Sequence, residues 1–502
     1  MYKRIVILLG WCALLAASAA TAADMSSVAT VMKPKPGGRP WAQEQTAALR
    51  RYIDKQILTA PTLRGSLIGL SIVDTARRTV LYSRNADADF IPASNFKLVV
   101  GSTVLRKLGM DFAFVTQVQA DTAPVEGVIH GNLYLHGGGD ALLTAHDLDA
   151  AAAALATQGV SRIDGALVTD ASHYDAQRYG SGWSWDDIPY YYAPVISALE
   201  LEDGVVHATM TPGSSAGAPV RLDVWPQSGA FSIENRLTTG PAGSKDTSKI
   251  ERLWDTPRAI VLSGNYPLGA KTSGDIRAAV PDPPSYAGDV FLRALQKRGI
   301  AVDGGVQSGV APRGTQVVWA HRSAKLPELL AEFWYRSDNL MGELFLKELG
   351  VAEAGEPGTG ANGIIAERRF LQSIGIDPAS VRVGDGSGLS HYDHITPGDL
   401  VKILQADWNS PYRDIVLDAL AVPGVRGTML KAYLGTPAVG NAFLKDGAIS
   451  NVRTLSGYVK TKTHGPITFS WQVNSWMGAE RPGGRAALAT LRAEFLSHLA
   501  LQ

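Results

Sequence analysis

The 502-residue chain predicts an α+β fold: one domain assembled from both ends of the chain, interrupted by a large β-rich insertion. Three observations carry this reading. Helical periodicity mixes with antiparallel strand patterns at both ends of the chain. Between roughly 115 and 315 the texture changes to short strands separated by Gly, Pro, Ser and Thr. The hydrophobic content, 45%, suits a well-buried globular protein of about two to four domains. Charge is balanced, with 47 Lys plus Arg against 47 Asp plus Glu, which argues against a nucleic-acid footprint because that needs a basic excess.

Taken in order, residues 1–22 read as an export leader. Lys3 and Arg4 precede the apolar run Ile5–Leu15, and Ala20-Thr21-Ala22 offers a cleavage site. The run is shorter than the ~20 residues that span a bilayer, and no later stretch is apolar enough to do so. Cys12 is the only cysteine and lies inside the leader, after Gly10-Trp11 rather than small residues. A mature chain starting near Ala23 is therefore expected to carry no disulfide, no thiol chemistry and no cysteine metal site. Residues 23–40, with KPKPGGRP at Lys33–Pro40, read as an extended linker.

Trp41–Ile57 has helical periodicity, and Leu67–Asp74 and Thr79–Asn85 read as strands around the turn TARR. A helix follows Pro92 and ends at Leu108, where Gly109 supplies the stop. Thr144 and Asp147 form a capping pair for an alanine-rich helix that ends before Gly159. Helices are expected at Leu326–Tyr335 and Leu340–Leu349, strands at Thr454–Val459 and Ile467–Val473, and a helix through Leu488–Leu499. The main domain is thus assigned to 41–114 and 316–502, and the insertion, expected as two subdomains, to 115–315.

The chemistry concentrates in three places. In PASNFKLVV, Ser94 lies three residues before Lys97, so a helix puts the amine one turn from the hydroxyl. A serine needs a neighbouring base to become a nucleophile. A lysine serves if desolvation or a second cation lowers its pKa. Taken alone, the pair reads first as a helix-start serine with a solvated lysine, because helices often contain S-x-x-K by chance. Two further elements change that balance: Ser337-Asp338-Asn339 between two helices, and Lys445-Asp446-Gly447 just before the C-terminal strands. S-x-x-K, S-D-N and K-T-G together mark serine penicillin-binding proteins and class A β-lactamases.

On these motifs the chain resembles the D-alanyl-D-alanine carboxypeptidase/endopeptidase family of low-molecular-mass, class C penicillin-binding proteins. The resemblance extends over nearly the whole mature chain, through GNLYLHGGGDALLT, GALVTDASHYD, GWSWDDIPYYYAP, GDGSGLSHYDHITP, VPGVRGTM and NVRTLSGYV. A class A β-lactamase lacks the large insertion before its S-D-N. The resemblance implies a β-lactamase/transpeptidase-like domain, an antiparallel sheet flanked by helices with the nucleophile at a helix start. It implies that Ser94 is acylated, Lys97 is the base and Ser337 relays a proton to the leaving amine. Asn339 then holds the acyl side of the substrate, and Lys445 supplies charge that lowers the Lys97 pKa. The amides of Ser94 and Ala448 would form the oxyanion hole. Peptidoglycan peptides and β-lactams are the implied ligands, with no metal or organic cofactor, no nucleic acid and a periplasmic location.

The third motif departs from the family: Asp446 stands where a threonine is usual, and Ala448 where another hydroxyl is usual. In the family those hydroxyls help grip the donor's terminal carboxylate, which Asp446 is expected to repel. Protonation, a turned-away side chain, or pairing with Arg426 or Arg453 would relieve the conflict. So would a preference for an uncharged or cationic group. Asp446-Gly447 also fits a hairpin turn that Lys445 merely flanks. Lys462-Thr463 in KTKTHG reads as solvated loop.

Rival readings remain at this level. A weakened or inactive peptidoglycan-binding homologue would explain Lys-Asp-Gly. A lipase would use His136-Gly137-Gly138-Gly139 and the formal G-x-S-x-G at Gly213–Gly217, yet the flanking sequence reads as strand–turn–strand and not strand–turn–helix. His391 and His394 lack a matching third ligand. The aromatics of WSWDDIPYYY read as packing between insertion and main domain.

Overall fold

The computed structural model describes residues 32–35, 37–253, 255–272 and 276–502. The expected leader and Cys12 lie outside the described residues. The described part of the expected linker runs along the main domain: Lys33 pairs with Asp418 at 2.7 Å, and the Arg39 amide donates to the Thr463 carbonyl at 2.9 Å.

The main domain is a five-stranded antiparallel sheet. Its strands are β1 (Leu67–Asp74), β2 (Val80–Arg84), β3 (Ala442–Ile449), β4 (Val452–Lys460) and β5 (Pro466–Asn474), in the order β3-β4-β5-β1-β2. Both ends of the chain therefore meet in one sheet through the β1–β5 pairing. Every residue of β5 is buried, because helices cover both faces. One face carries α1 (Lys97–Lys107), α2 (Asn339–Ala354) and the helices Leu326–Tyr335 and Pro397–Trp408. The other carries α3 (Gly484–Leu501) and the helix Gln43–Tyr52, with Phe495 edge-on to Phe469 and Trp471. Successive residues of β3 divide between the faces, as strand geometry requires. Phe443 joins the α1 side and Leu444 the α3 side.

Among the described residues the insertion contains a second five-stranded sheet and three three-stranded ones. The larger sheet orders Val306–Ser308, Leu167–Asp170, Leu133–His136, Val115–Ala120 and Gln316–Arg322. Its last pairing corrects the expected boundary at 316. Gln316–Arg322 lies antiparallel to Val115–Ala120, so the return strand belongs to the insertion's sheet and closes its neck. Among the short strands of the insertion, the sequence reading misses one element, Pro283–Lys297, a 15-residue helix. Two prolines and Gly288 obscure it in the sequence. Yet Pro283 sits at the first helical position, where its missing N–H costs nothing, and Asp282 caps the Ser285 amide.

The predicted elements nearest the site form as expected. Thr144 and Asp147 make a reciprocal capping box. Gly109 follows α1 with φ +81°, a conformation that suits glycine at a helix stop. Within α1, Gly101 lets the indole of Trp334 lie against the helix backbone, and Trp334 Nε1 donates to the Lys97 carbonyl at 3.1 Å. A Cβ at Gly101 would stand 2.4 Å from Trp334 Cζ2. Gly101→Ala is therefore expected to destabilise by about 1–3 kcal/mol through overpacking, although alanine is the better helix former by about 1 kcal/mol. A fall in the thermal midpoint checks this; an unchanged or raised midpoint contradicts it.

Candidate active site

Ser94 sits in a short 3-10 turn, Ala93–Phe96, that runs directly into α1. Two hydrogen bonds tie this turn to the sheet, and a third, within the sheet, supports them. Thr454 Oγ1 donates to the Pro92 carbonyl at 2.7 Å, Asn95 Nδ2 to Ser456 Oγ at 2.8 Å, and Ser456 Oγ to Ser470 Oγ at 2.9 Å. Ala93 adopts φ +47°, a left-handed conformation unfavourable for alanine, and the surrounding contacts hold it there.

Lys97 is fully buried. Its Nζ lies 3.1 Å from Ser94 Oγ, 2.6 Å from Asn339 Oδ1 and 2.5 Å from the Ser387 carbonyl oxygen. Neither of the last two can donate. The Asn339 amide is oriented by its own Nδ2, which donates to the Tyr192 carbonyl at 2.7 Å. A neutral amine has two N–H groups and one lone pair. When Lys97 is neutral, the two acceptors take its N–H groups and leave the lone pair for the hydroxyl of Ser94. Burial, with the charge of Lys445 added, pushes the Lys97 pKa down to about 7, against the opposing pull of Asp385, Asp338 and Glu343.

Lys445 is fully buried in the middle of β3. Its Nζ donates to Ser337 Oγ at 2.9 Å and to the Asp446 carbonyl at 2.7 Å. Ser337, at φ +55°, lies just before Asp338, which caps the Met341 amide of α2 and so fixes Asn339 in its first turn. The three stretches thus meet: Ser94, Lys97 and Asn339 around one amine, Ser337 and Lys445 around the other.

The hairpin-turn reading of Asp446-Gly447 is overturned, because both residues lie inside β3, paired with Leu455 and Thr454. Strand β3 is the sheet edge. The amide and carbonyl of Leu444 face outward and pair with Ala421 at 2.8 and 3.0 Å. Alternation along a strand then turns the amides of Asp446 and Ala448 to the same open edge. Gly447 is the closest approach: a Cβ there would stand 2.2 Å from Thr454 Oγ1 and 2.9 Å from the Ser94 amide nitrogen. Asp446 pairs with neither expected arginine. Arg426 donates to the Leu417 and Leu420 carbonyls, and Arg453 to those of Ile449 and Val452. Instead Thr428 Oγ1 donates to Asp446 Oδ1 at 2.8 Å, and Lys445 Nζ lies 3.6 Å from the same oxygen.

Several contributors are invisible to motif reading. The buried carboxylate of Asp385 accepts from the amides of Ser387, Gly388 and Ser390, from Ser387 Oγ, and from Trp183 Nε1 of the insertion at 2.7 Å. It thereby holds the carbonyl that meets Lys97. Glu343, buried beneath that loop, accepts from the Gly386 amide at 3.1 Å; burial and the charge of Asp385 push its pKa up to about 8. The run GDGSGLS carries the only sequence signal, an aspartate among glycine and serine turns. The lipase elements are elsewhere. Ser214 and Ser215 are exposed between the strands Val205–Thr211 and Arg221–Trp225, while the Gly137 and Gly139 amides are spent on the Asp170 and Ala198 carbonyls.

The family model "D-Ala-D-Ala carboxypeptidase 3 (S13) family" matches residues 49–495. The D-alanyl-D-alanine carboxypeptidase of Actinomadura sp. (strain R39) is 35% identical over 466 residues, 90% of this chain and 86% of that protein. The D-alanyl-D-alanine carboxypeptidase DacB of Haemophilus influenzae is 24% identical over 84% of this chain and 88% of its own length. The crystal structure of penicillin binding protein 4 (dacB) from H. influenzae matches with TM-score 0.80 at 22% identity, over 91% of this chain and 99% of that one. The same protein complexed with a β-lactam matches with TM-score 0.75. The fold is therefore that of this penicillin-binding protein, and the chain belongs to the D-Ala-D-Ala carboxypeptidase 3 (S13) family of peptidases.

Proposed function

We propose that the protein is a serine D,D-peptidase acting on peptidoglycan stem peptides through an acyl-enzyme at Ser94, and that β-lactams acylate the same hydroxyl. The observation that carries this is the Lys97 amine, dry, depressed to about 7, and offered a hydroxyl by elimination of its other partners. Ser94 Oγ attacks the carbonyl of the D-alanyl peptide as its proton passes to Lys97. The amides of Ser94 and Ala448 receive the oxyanion; one such donor is typically worth about 3 kcal/mol. Ser337, hydrogen-bonded to Lys445, delivers its proton to the leaving amine and is reprotonated at the expense of the Lys97 ammonium, so that Lys97 is neutral again. Water then attacks the ester, Lys97 accepts the proton of the water and passes it to the departing Ser94 oxygen, and Ser94 is regenerated. Release of a terminal D-alanine and cleavage of a cross-link are the same acyl transfer with different leaving amines. The leader-like segment 1–22 and the carboxypeptidase relatives support export to the periplasm.

A fluorescent penicillin tests the reading against that of an inactive peptidoglycan-binding homologue. Covalent labelling of the wild type, abolished in Ser94→Ala, is expected; a wild type that never labels sinks the enzyme. Lys97→Ala is expected to slow acylation by about 10²–10⁴-fold. Because the base works only when neutral, the acylation rate should rise about tenfold per pH unit up to about 7 and then level off. A profile flat from pH 5 to 8 would remove Lys97 from the role.

Asp385→Asn gives a separable signature. The carboxylate stabilises the Lys97 ammonium, so its loss lowers the Lys97 pKa further and moves the acid limb of the profile to lower pH. The plateau rate should fall as the Ser387 carbonyl loses its support. An unmoved limb would mean that Asp385 supports the loop alone.

A further inference from the structure

Resting on the proposed acyl transfer, we propose that Asp446 selects the leaving group, so that the preferred scissile bond releases an amine whose α-carboxyl is masked as a carboxamide, not a free carboxylate.

The argument starts from position. The leaving amine must come within hydrogen-bond distance of Ser337 Oγ to receive its proton. Ser337 Oγ is 2.9 Å from Lys445 Nζ, and Lys445 Nζ is 3.6 Å from Asp446 Oδ1. A carboxyl on the carbon next to the leaving nitrogen is only two bonds away from that nitrogen. It therefore enters the space that Lys445 and Asp446 border.

Charge and donor count decide what this space accepts. Asp446 is ionised: burial opposes the charge, but Lys445, the Thr428 hydroxyl and Arg492 together hold its pKa below the ordinary value. Its carboxylate sets one negative charge against the single positive charge of Lys445, so the pull on an anionic group is cancelled at the position nearest to it. Among the described residues around Asp446, side-chain hydrogen-bond donors are also engaged elsewhere. Ala448 has no polar side-chain atom, and the one hydroxyl hydrogen of Thr428 is committed to Asp446 at 2.8 Å. Arg426 and Arg453 are engaged with backbone carbonyls, and Arg492 donates to the Thr454 carbonyl at 3.1 Å. What remains is the free acceptor capacity of a carboxylate with side-chain exposure of 28%. An acceptor whose charge offsets that of the adjacent Lys445 fits N–H groups, as a carboxamide presents, and disfavours a second carboxylate.

Two peptides that differ only at the end test this: a blocked acyl-D-Ala-D-Ala and its terminal carboxamide. The readout is the ratio of their kcat/KM values, which is independent of the fraction of folded enzyme. Wild-type protein is expected to favour the carboxamide by tenfold or more, and Asp446→Thr and Asp446→Asn each to move the ratio towards the carboxylate by at least tenfold. Hydrolysis that depends on Ser94 but favours the free carboxylate overturns the inference while the peptidase reading stands. So does a ratio that neither variant moves. Cleavage of neither peptide, with no penicillin labelling, overturns both.

Discussion

The structure depends on keeping one lysine amine dry. An exposed Lys97 would be an ammonium at neutral pH and could not take a proton from serine. Burying it is costly unless each of its hydrogens finds an acceptor. The chain meets that condition with atoms from two distant segments, Asn339 Oδ1 and the Ser387 carbonyl, and leaves Ser94 as the third neighbour. Much of the surrounding architecture serves to hold those two acceptors. The Asp338 cap fixes the first turn of α2, and Asp385 fixes the loop that carries Ser387.

The second constraint is the approach of the edge strand to the nucleophile turn. β3 passes so close to Ser94 that residue 447 has no room for a side chain. The strand can come that near because its inner neighbours, Thr454 and Ser456 of β4, bond to the turn through their own side chains. The same strand delivers Lys445 on one face and Asp446 on the other. Two residues adjacent in sequence thus reach the cleft from opposite sides of the sheet edge, and their charges meet at 3.6 Å.

The insertion participates in the site as well as decorating it. Tyr192 orients Asn339 through its carbonyl, and Trp183 donates into Asp385. Ionic contacts hold the insertion against the main domain nearby: Arg336 with Asp203, and His173 between Glu348 at 2.9 Å and Glu356 at 2.7 Å. Glu348 also accepts from the buried Tyr174 hydroxyl. These contacts couple the placement of the aromatic segment to α2, the helix that carries Asn339.

By itself the sequence determined the local elements and the reactive residues. Ser94 and Lys97 share a face because residues three apart lie about one turn apart, in a 3-10 turn as in an α-helix. β1 and the helix Leu326–Tyr335 fall where their apolar periods place them. Resemblance in three motifs linked Ser94, Ser337 and Lys445. What the tertiary structure alone decided is everything that turns on non-local pairing. Gln316–Arg322 is a plausible strand in any sheet, and only its partner Val115–Ala120 assigns it to the insertion. Asp446-Gly447 has the composition of a turn, but β4 makes it a strand. The hydrogen-bond partner of Asp446 turned out to be Thr428 and neither Arg426 nor Arg453, and Ser387 contributes a backbone carbonyl that no residue code announces. Hydrogen-bond partners and desolvation depend on which segments arrive together, and a linear pattern carries no record of that.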